Sequence, residues 1–247
     1  GNWMCPASES VRRGDGSHPS SLRREFGLHG RPVCEMADDP DDLTIYVWGY
    51  EHRYIVATVK GASLDQVKAG LGDLDAFAAT PVPDFAKLNV LQKSLPSALV
   101  TIYGRKPGFG INRITSPDKT ALRYHYDSTG RLSYTSDRLG HPLEIYDWQY
   151  APQGSVSNWL QTAVATQSLN SRSAALASAL VSRDLFDGLG RKVASRSWRA
   201  GSSSPHIASL SELDSKGRQV RAWLPAPVSG DVDSPLSAES LRSAYAD

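Results

Sequence analysis

The chain has 247 residues, 40% hydrophobic and 21% charged. That is a globular rather than a disordered composition, long enough for one large domain or two small ones. A formal net charge of +1 at pH 7 gives no electrostatic reason to expect nucleic acid or an anionic membrane as partner, and no apolar run approaches the roughly 20 residues of a membrane helix.

The N-terminus GNWMCPASES lacks the basic-then-apolar order of a signal peptide. Its first residue and the last segment, SLRSAYAD, read as a piece cut from a longer chain, so a missing targeting signal fixes no compartment. Residues 1–25 are polar and rich in Ser, Arg and Gly, and are expected to be a disordered or irregular terminus. Cys5 and Cys34 are no disulfide framework; both read as free thiols rather than as a bridge. The acidic run Asp38–Asp42 is interrupted by Pro40 and lacks the alternating oxygens and central Gly of an EF-hand, so it reads as a solvated turn.

Leu43–Lys60 is dense in β-branched and aromatic residues and predicts two strands broken near Gly49–Arg53. A helical insert follows over 62–95. Ser63 is its expected N-cap, with Gln66 at the capping-box position, Leu64, Val67 and Leu71 on one face, and Gly72 as the stop. A second helix is expected around Asp84–Lys93, bracketed by prolines. From Leu99 the strand signal returns: Leu122, Tyr124 and Tyr126 alternate with polar residues, as do Leu132 and Tyr134. In PLEIYDWQY the parity of the apolar positions switches, which predicts a bulge or a strand covered on both faces. Residues 151–180 read as a weak helix or a linker, because Ala, Leu and Gln favour helix while Ser and Thr blunt it. Strands resume over 181–230, and 231–247 is expected to be an irregular tail.

One string recurs: YDSTGRLS from Tyr126, FDGLGRKV from Phe186 and LDSKGRQV from Leu213. SDRLGHPL, from Ser136, is a variant with His in place of Arg, and FGLHGRPV, from Phe26, is a worn copy with Gly27 in place of Asp. Asp and Gly three residues apart fit a tight turn, since the carboxylate accepts from backbone amides two residues on and Gly tolerates positive φ. Asp127, Gly130 and Arg131 are therefore hairpin-turn residues, with Arg131 placed to fork onto the Asp carboxylate. The same assignment covers Asp137 and Gly140; Asp187, Gly190 and Arg191; and Asp214, Gly217 and Arg218. The residue before Asp and the apolar residue after Arg are expected to pack toward the same core. Turn chemistry outweighs the other reading of these aspartates, as catalytic carboxylates.

Tyr126–Tyr150, with its Tyr-Asp, Gly-Arg-Leu, second Asp-x-x-Gly and Tyr-x-x-x-Tyr, resembles the YD repeat of bacterial RHS proteins. Ile45–Gly72 looks like a segment that often precedes such a repeat, and LFDGLGRKVASRSW and SKGRQVRAWLPAPVSG resemble another RHS-associated module. The resemblance spans about 26–230, with gaps at 73–95 and 151–180. It implies a mainly β fold of antiparallel hairpins joined into an open, curved strip, part of a hollow shell that in RHS toxins encloses a C-terminal toxic domain. The implied partners are the rest of the chain and that enclosed domain, and the implied location is secreted or cell-surface. The chain departs from the family at Ser116-Pro117-Asp118-Lys119, where the family often has Asp-Pro-x-Gly.

No nucleophile elbow or Walker loop is present, and GFG at Gly108–Gly110 lacks the third glycine of a dinucleotide fingerprint. The histidines show no metal spacing in sequence, and His125 reads as solvated. The expectation is accordingly a non-enzyme with no catalytic, cofactor or metal residues. The alternative is a carbohydrate-binding or adhesive surface module, with Tyr146, Trp148 and Tyr150, joined by Trp198 and Trp223, stacking on sugars. Against it stands the reading that these rings are a packed hairpin face.

Overall fold

A computed structural model describes residues 8–13, 20–27, 29–36, 43–150, 158–202, 205–233 and 236–245. The fold is mainly β, and the chain divides into two compact units, residues 1–122 and 123–247. Within each unit the strands lie in the sheet in chain order, and the pairings are antiparallel hairpin ladders. No helix of the described residues is long and apolar enough to cross a membrane.

The first unit begins with β1 (Ser8–Arg13), β2 (Ser20–Phe26), β3 (Pro32–Met36), β4 (Leu43–Gly49) and β5 (Tyr54–Lys60). Three helices follow, α1 (Leu64–Leu71), α2 (Leu74–Ala78) and α3 (Phe85–Ser94), and then β6 (Leu99–Lys106) and β7 (Gly110–Thr115). The helical insert is where 62–95 was expected, with α2 as an addition. Ser63 caps α1 through a full capping box with Gln66, and Gly72 ends it at φ 83°. The helices cover one face of the strands. Val67, Leu71, Phe77, Leu88 and Leu91 close over Ile45, Val47, Val56, Val59 and Val100 in one buried cluster, and this apolar burial is what holds the insert to the sheet. Cys34 is buried in the same cluster; Cys5 and the Asp38–Asp42 run lie outside the described residues.

The second unit takes in most of β8 (Ala121–Tyr126), then β9 (Leu132–Ser136), β10 (Pro142–Gln149), β11 (Asn158–Val164), β12 (Leu180–Phe186), β13 (Lys192–Arg199), β14 (His206–Leu213) and β15 (Gln219–Val228). Helices α4 (Arg172–Ala177) and α5 (Ala238–Ala244) pack beside them. Its cores are small: Ile145, Ala163, Ala175, Ala179 and Val181 in one, Ala208, Ala226, Val228 and Leu241 in the other. A register shift lies between Pro142 and Glu144. From Glu144 to Gln149, however, the ladder with β11 is regular, so the parity switch after Ile145 is no bulge and leaves apolar side chains on both faces of β10.

Three expected boundaries are corrected. Residues 8–13 and 20–25 are not irregular: they pair with each other, and β2 pairs on with β3. Within 151–180, Asn158–Val164 is a strand, because ladders with β10 on one side and β12 on the other outweigh its helix-favouring composition. Within 231–247, Ala238–Ala244 is a helix, capped by the Ser237 hydroxyl and anchored by the buried Leu241.

Candidate functional site

The recurring string builds one loop. Its first residue donates its amide to the carbonyl of the fifth, and its fourth donates to the carbonyl of the first. The pattern holds for Asp127/Gly130/Arg131, Asp137/Gly140/His141, Asp187/Gly190/Arg191 and Asp214/Gly217/Arg218, with N···O distances from 2.8 to 3.2 Å. The fourth residue sits at φ 78–95° in these copies, a region that favours glycine. Around each loop the ladder slips by one residue: Tyr126 faces Leu132, Phe186 faces Lys192 and Leu213 faces Gln219. This is a three-residue hairpin with a bulge.

The Asp carboxylate fastens the loop. Asp187 Oδ1 accepts from the amides of Leu189 and Arg191, both at 2.9 Å, and Oδ2 accepts from Arg191 Nε at 2.7 Å. Arg191 Nη2 reaches the same oxygen at 2.6 Å. Asp214 repeats this with Lys216 and Arg218, and Asp127 with Thr129 and Arg131, adding the Thr129 hydroxyl at 2.7 Å. In the His variant, the His141 ring nitrogen Nδ1 takes the Arg position, 2.9 Å from Asp137 Oδ2. These bonds favour the ionised carboxylate. Asp127 is held well below the usual carboxylate range, first by the Thr129 hydroxyl and then by Arg131. Asp187 and Asp214 are lowered by the amide and then the guanidinium of Arg191 and Arg218. For Asp137, desolvation pushes upward but is outweighed by the His141 amide and ring.

Two copies form the loop without Asp at its head. Gly27 donates to Arg31 and Gly30 to Gly27, with Gly30 at φ 63°. Ser116 donates to Thr120 and Lys119 to Ser116, with Lys119 itself at φ 67°. Here Asp118, two positions later than the Asp of the other copies, takes the Thr120 amide and hydroxyl on Oδ1. Packing toward a shared core is not found: Tyr126, Leu132, Phe186, Val193 and Leu213 belong to none of the buried clusters, and Val220 is 64% exposed on a strand solvated along most of its first half.

Alternation along β10 places Ile145 in the core and Tyr146 and Trp148 on the other face. Tyr146 donates its hydroxyl to Glu144 at 2.6 Å, and burial, reinforced by that carboxylate, pushes its pKa up to about 12. Trp148 is 38% exposed and Tyr150 66%, yet the Trp148 indole donates to the Leu132 carbonyl and the Tyr150 ring carries the Arg131 guanidinium 5.6 Å from its centre. Trp198 is covered by Arg183, which also lies over Trp159 and bonds to Gln161. Trp223 donates to Glu212 at 2.8 Å and stacks on Tyr245. His125 is not solvated: it stacks on Tyr134 at 4.0 Å and sits 2.9 Å from the Ser136 hydroxyl. Burial, then the charge of Arg123, lowers its pKa.

Sequence reasoning missed a cleft in the first unit. Its volume is about 550 Å³, and its walls include Phe26, Trp48, His29, His52, Lys68 and Asp75. His29 comes from the loop between β2 and β3, His52 from the β4–β5 turn and Asp75 from the first turn of α2. The turn is unusual, with Tyr50, Glu51 and His52 at φ 52°, 57° and 60°. A left-handed run of non-glycine residues costs roughly 1 kcal/mol or more per residue, and two bonds to the end of the α2 region hold it: Glu51 donates to Thr80 and His52 to Ala78. His52 Nδ1 thereby lies 3.7 Å from Asp75 Oδ1, and the His29 ring centre is 4.0 Å from that of His52. No spacing rule could have found this, since three separate hairpin and helix segments bring the residues together.

No family model matches the chain, and no curated protein matches it. Among solved structures it is similar to the crystal structure of TcdB2-TccC3-Cdc42, with 14% identity and a TM-score of 0.43 over 86% of this chain and 11% of that one. It is also similar to TcdB2-TccC3 without its hypervariable C-terminal region, with 10% identity and a TM-score of 0.34 over 91% of this chain and 14% of that one. TcdB2-TccC3 itself matches at 14% identity and a TM-score of 0.29, over 86% of this chain. The chain thus spans 11 to 14% of the length of these solved chains.

Proposed function

We propose that the chain is a non-catalytic wall segment of a secreted or surface-associated RHS/YD-repeat protein, whose hairpins help to enclose or present a C-terminal domain. The observation that carries the reading is the loop. Six copies among the described residues, starting at residues 27, 116, 127, 137, 187 and 214, share one pair of backbone hydrogen bonds. In such a protein each unit draws its stability from its neighbours, and the product is an extended surface rather than a pocket. The partners on this reading are the flanking repeats of the same protein and the enclosed domain.

Glycan binding is the second reading, favoured by the exposure of Trp148 and Tyr150. Their engagement with Leu132 and Arg131 favours the packed face instead. Electron cryomicroscopy of the natural protein that carries this segment tests the proposal: it places 26–230 in the wall of a closed shell. A segment projecting free of any shell contradicts it. Saturable glycan binding, followed by tryptophan fluorescence and lost in a folded Trp148→Ala variant, would replace it with the second reading.

A further inference from the structure

We propose that His29, His52 and Asp75 bind a divalent transition metal ion of the zinc class. Nδ1 or Nε2 of each histidine and a carboxylate oxygen of Asp75 all lie within 4.8 Å of one another. Donors around a tetrahedral zinc stand roughly 3.4 Å apart for bonds of about 2.1 Å, so small side-chain rotations close the set. The donor chemistry suits such an ion: two imidazoles and one carboxylate select Zn²⁺ and its neighbours over Ca²⁺ or Mg²⁺, which prefer all-oxygen shells. Three protein ligands leave a fourth position open, and all three residues line the cleft whose walls include Phe26 and Trp48.

The scaffold supports two of the three ligands from behind. Asp73 Oδ1 accepts the Asp75 amide at 2.8 Å and the Ala76 amide at 3.2 Å, fixing the turn that carries Asp75. The His52 amide is tied to Ala78 at 2.9 Å. These bonds fix the backbone positions from which the two side chains project. His29 is exposed at a loop, with its ring already 4.0 Å from that of His52. The charged residues of the wall are Glu25, Asp73 and Asp75 against Arg31 and Lys68, three negative and two positive, so a dication meets a net negative surface.

Isothermal titration of the 247-residue chain with zinc chloride, with Co²⁺ absorption in parallel, tests the site. The wild type takes up one equivalent, and His29→Gln, His52→Asn and Asp75→Asn each weaken binding at least about tenfold. Asn tolerates the positive φ at residue 52, and His29→Gln alters an exposed side chain, so it decides the matter even if the other variants unfold. Absence of saturable Zn²⁺ binding by the wild type overturns the proposal. So does undiminished binding by His29→Gln with unchanged circular dichroism, which would put the metal on other residues.

Discussion

The Arg191 guanidinium lies against Gly217. Its Nε donates to Asp187 Oδ2 at 2.7 Å, and its Nη1 fills the space that a Cβ on Gly217 would need. One loop's clasp therefore rests on the backbone of the next, and Gly217 is required twice, for its φ of 79° and for this contact. A Cβ on Gly190, at φ 78°, would meet nothing. Gly190→Ala is expected to cost about 1 kcal/mol, the strain of a left-handed alanine. Gly217→Ala is expected to cost more than Gly190→Ala, because its Cβ also forces aside the tip of the Arg191 side chain, which a flexible chain yields at small cost. Urea denaturation of both variants, repeated in an Arg191→Ala background, checks this: the excess at Gly217 disappears there. Equal costs in the native background would contradict the contact.

Lys119 offers the opposite experiment. It holds φ 67° at the position that the other copies fill with glycine. Relief of roughly 1–2 kcal/mol of left-handed strain, set against roughly 0.5–1 kcal/mol of glycine chain entropy, makes Lys119→Gly stabilising by up to about 1.5 kcal/mol. Thermal and urea unfolding both report it, and a loss of stability would show that the loop at Ser116 is not the same turn.

Gln92 links the helical insert to the strands. Its Nε2 donates to the carbonyls of Val100 and Ser116, at 2.8 and 2.9 Å, in a buried position. Gln92→Leu removes both bonds and is expected to destabilise by about 1–3 kcal/mol, read as a lowered urea midpoint. No change would mean that the carbonyls find other partners.

The acid dependence has a definite sign. The carboxylates of Asp127, Asp187 and Asp214 are lowered in the folded state. Their contribution is complete above the unfolded value of about 3.9 and is lost as pH falls from there through the folded pKa. His125 and His206 are also lowered, chiefly by burial. The native state thus binds protons less readily than the unfolded chain, and stability drops as pH falls below about 6.5 toward their folded values. Asp187→Asn keeps an oxygen for the backbone amides but carries no charge. It should make only the lower phase of a stability-against-pH curve shallower, since Asp127 and Asp214 still contribute; an unaltered lower phase would contradict the clasp.

The legible part of this molecule was its local chemistry. Asp, Gly and Arg at fixed offsets announce a turn because every group in that turn lies within five residues, and Ser63 with Gln66 announces a helix start for the same reason. What needed the fold was non-local. Asn158–Val164 became a strand because two neighbours offered it ladders. His29, His52 and Asp75 met because a strained turn is tied to the end of a short helix. Ser237 ahead of Ala238–Ala244 was a readable cap signal, obscured by the polar residues around it.

The wall reading depends on the loop being one unit that forms with or without its Asp clasp. Native-state amide hydrogen exchange measures this most directly, at the first residue of each copy: Gly27, Ser116, Asp127, Asp137, Asp187 and Asp214, each of which donates across its loop. The account predicts slowed exchange at all six, including Gly27 and Ser116. Protection confined to the four Asp copies would show that the carboxylate makes the turn and that the chain does not repeat one structural unit.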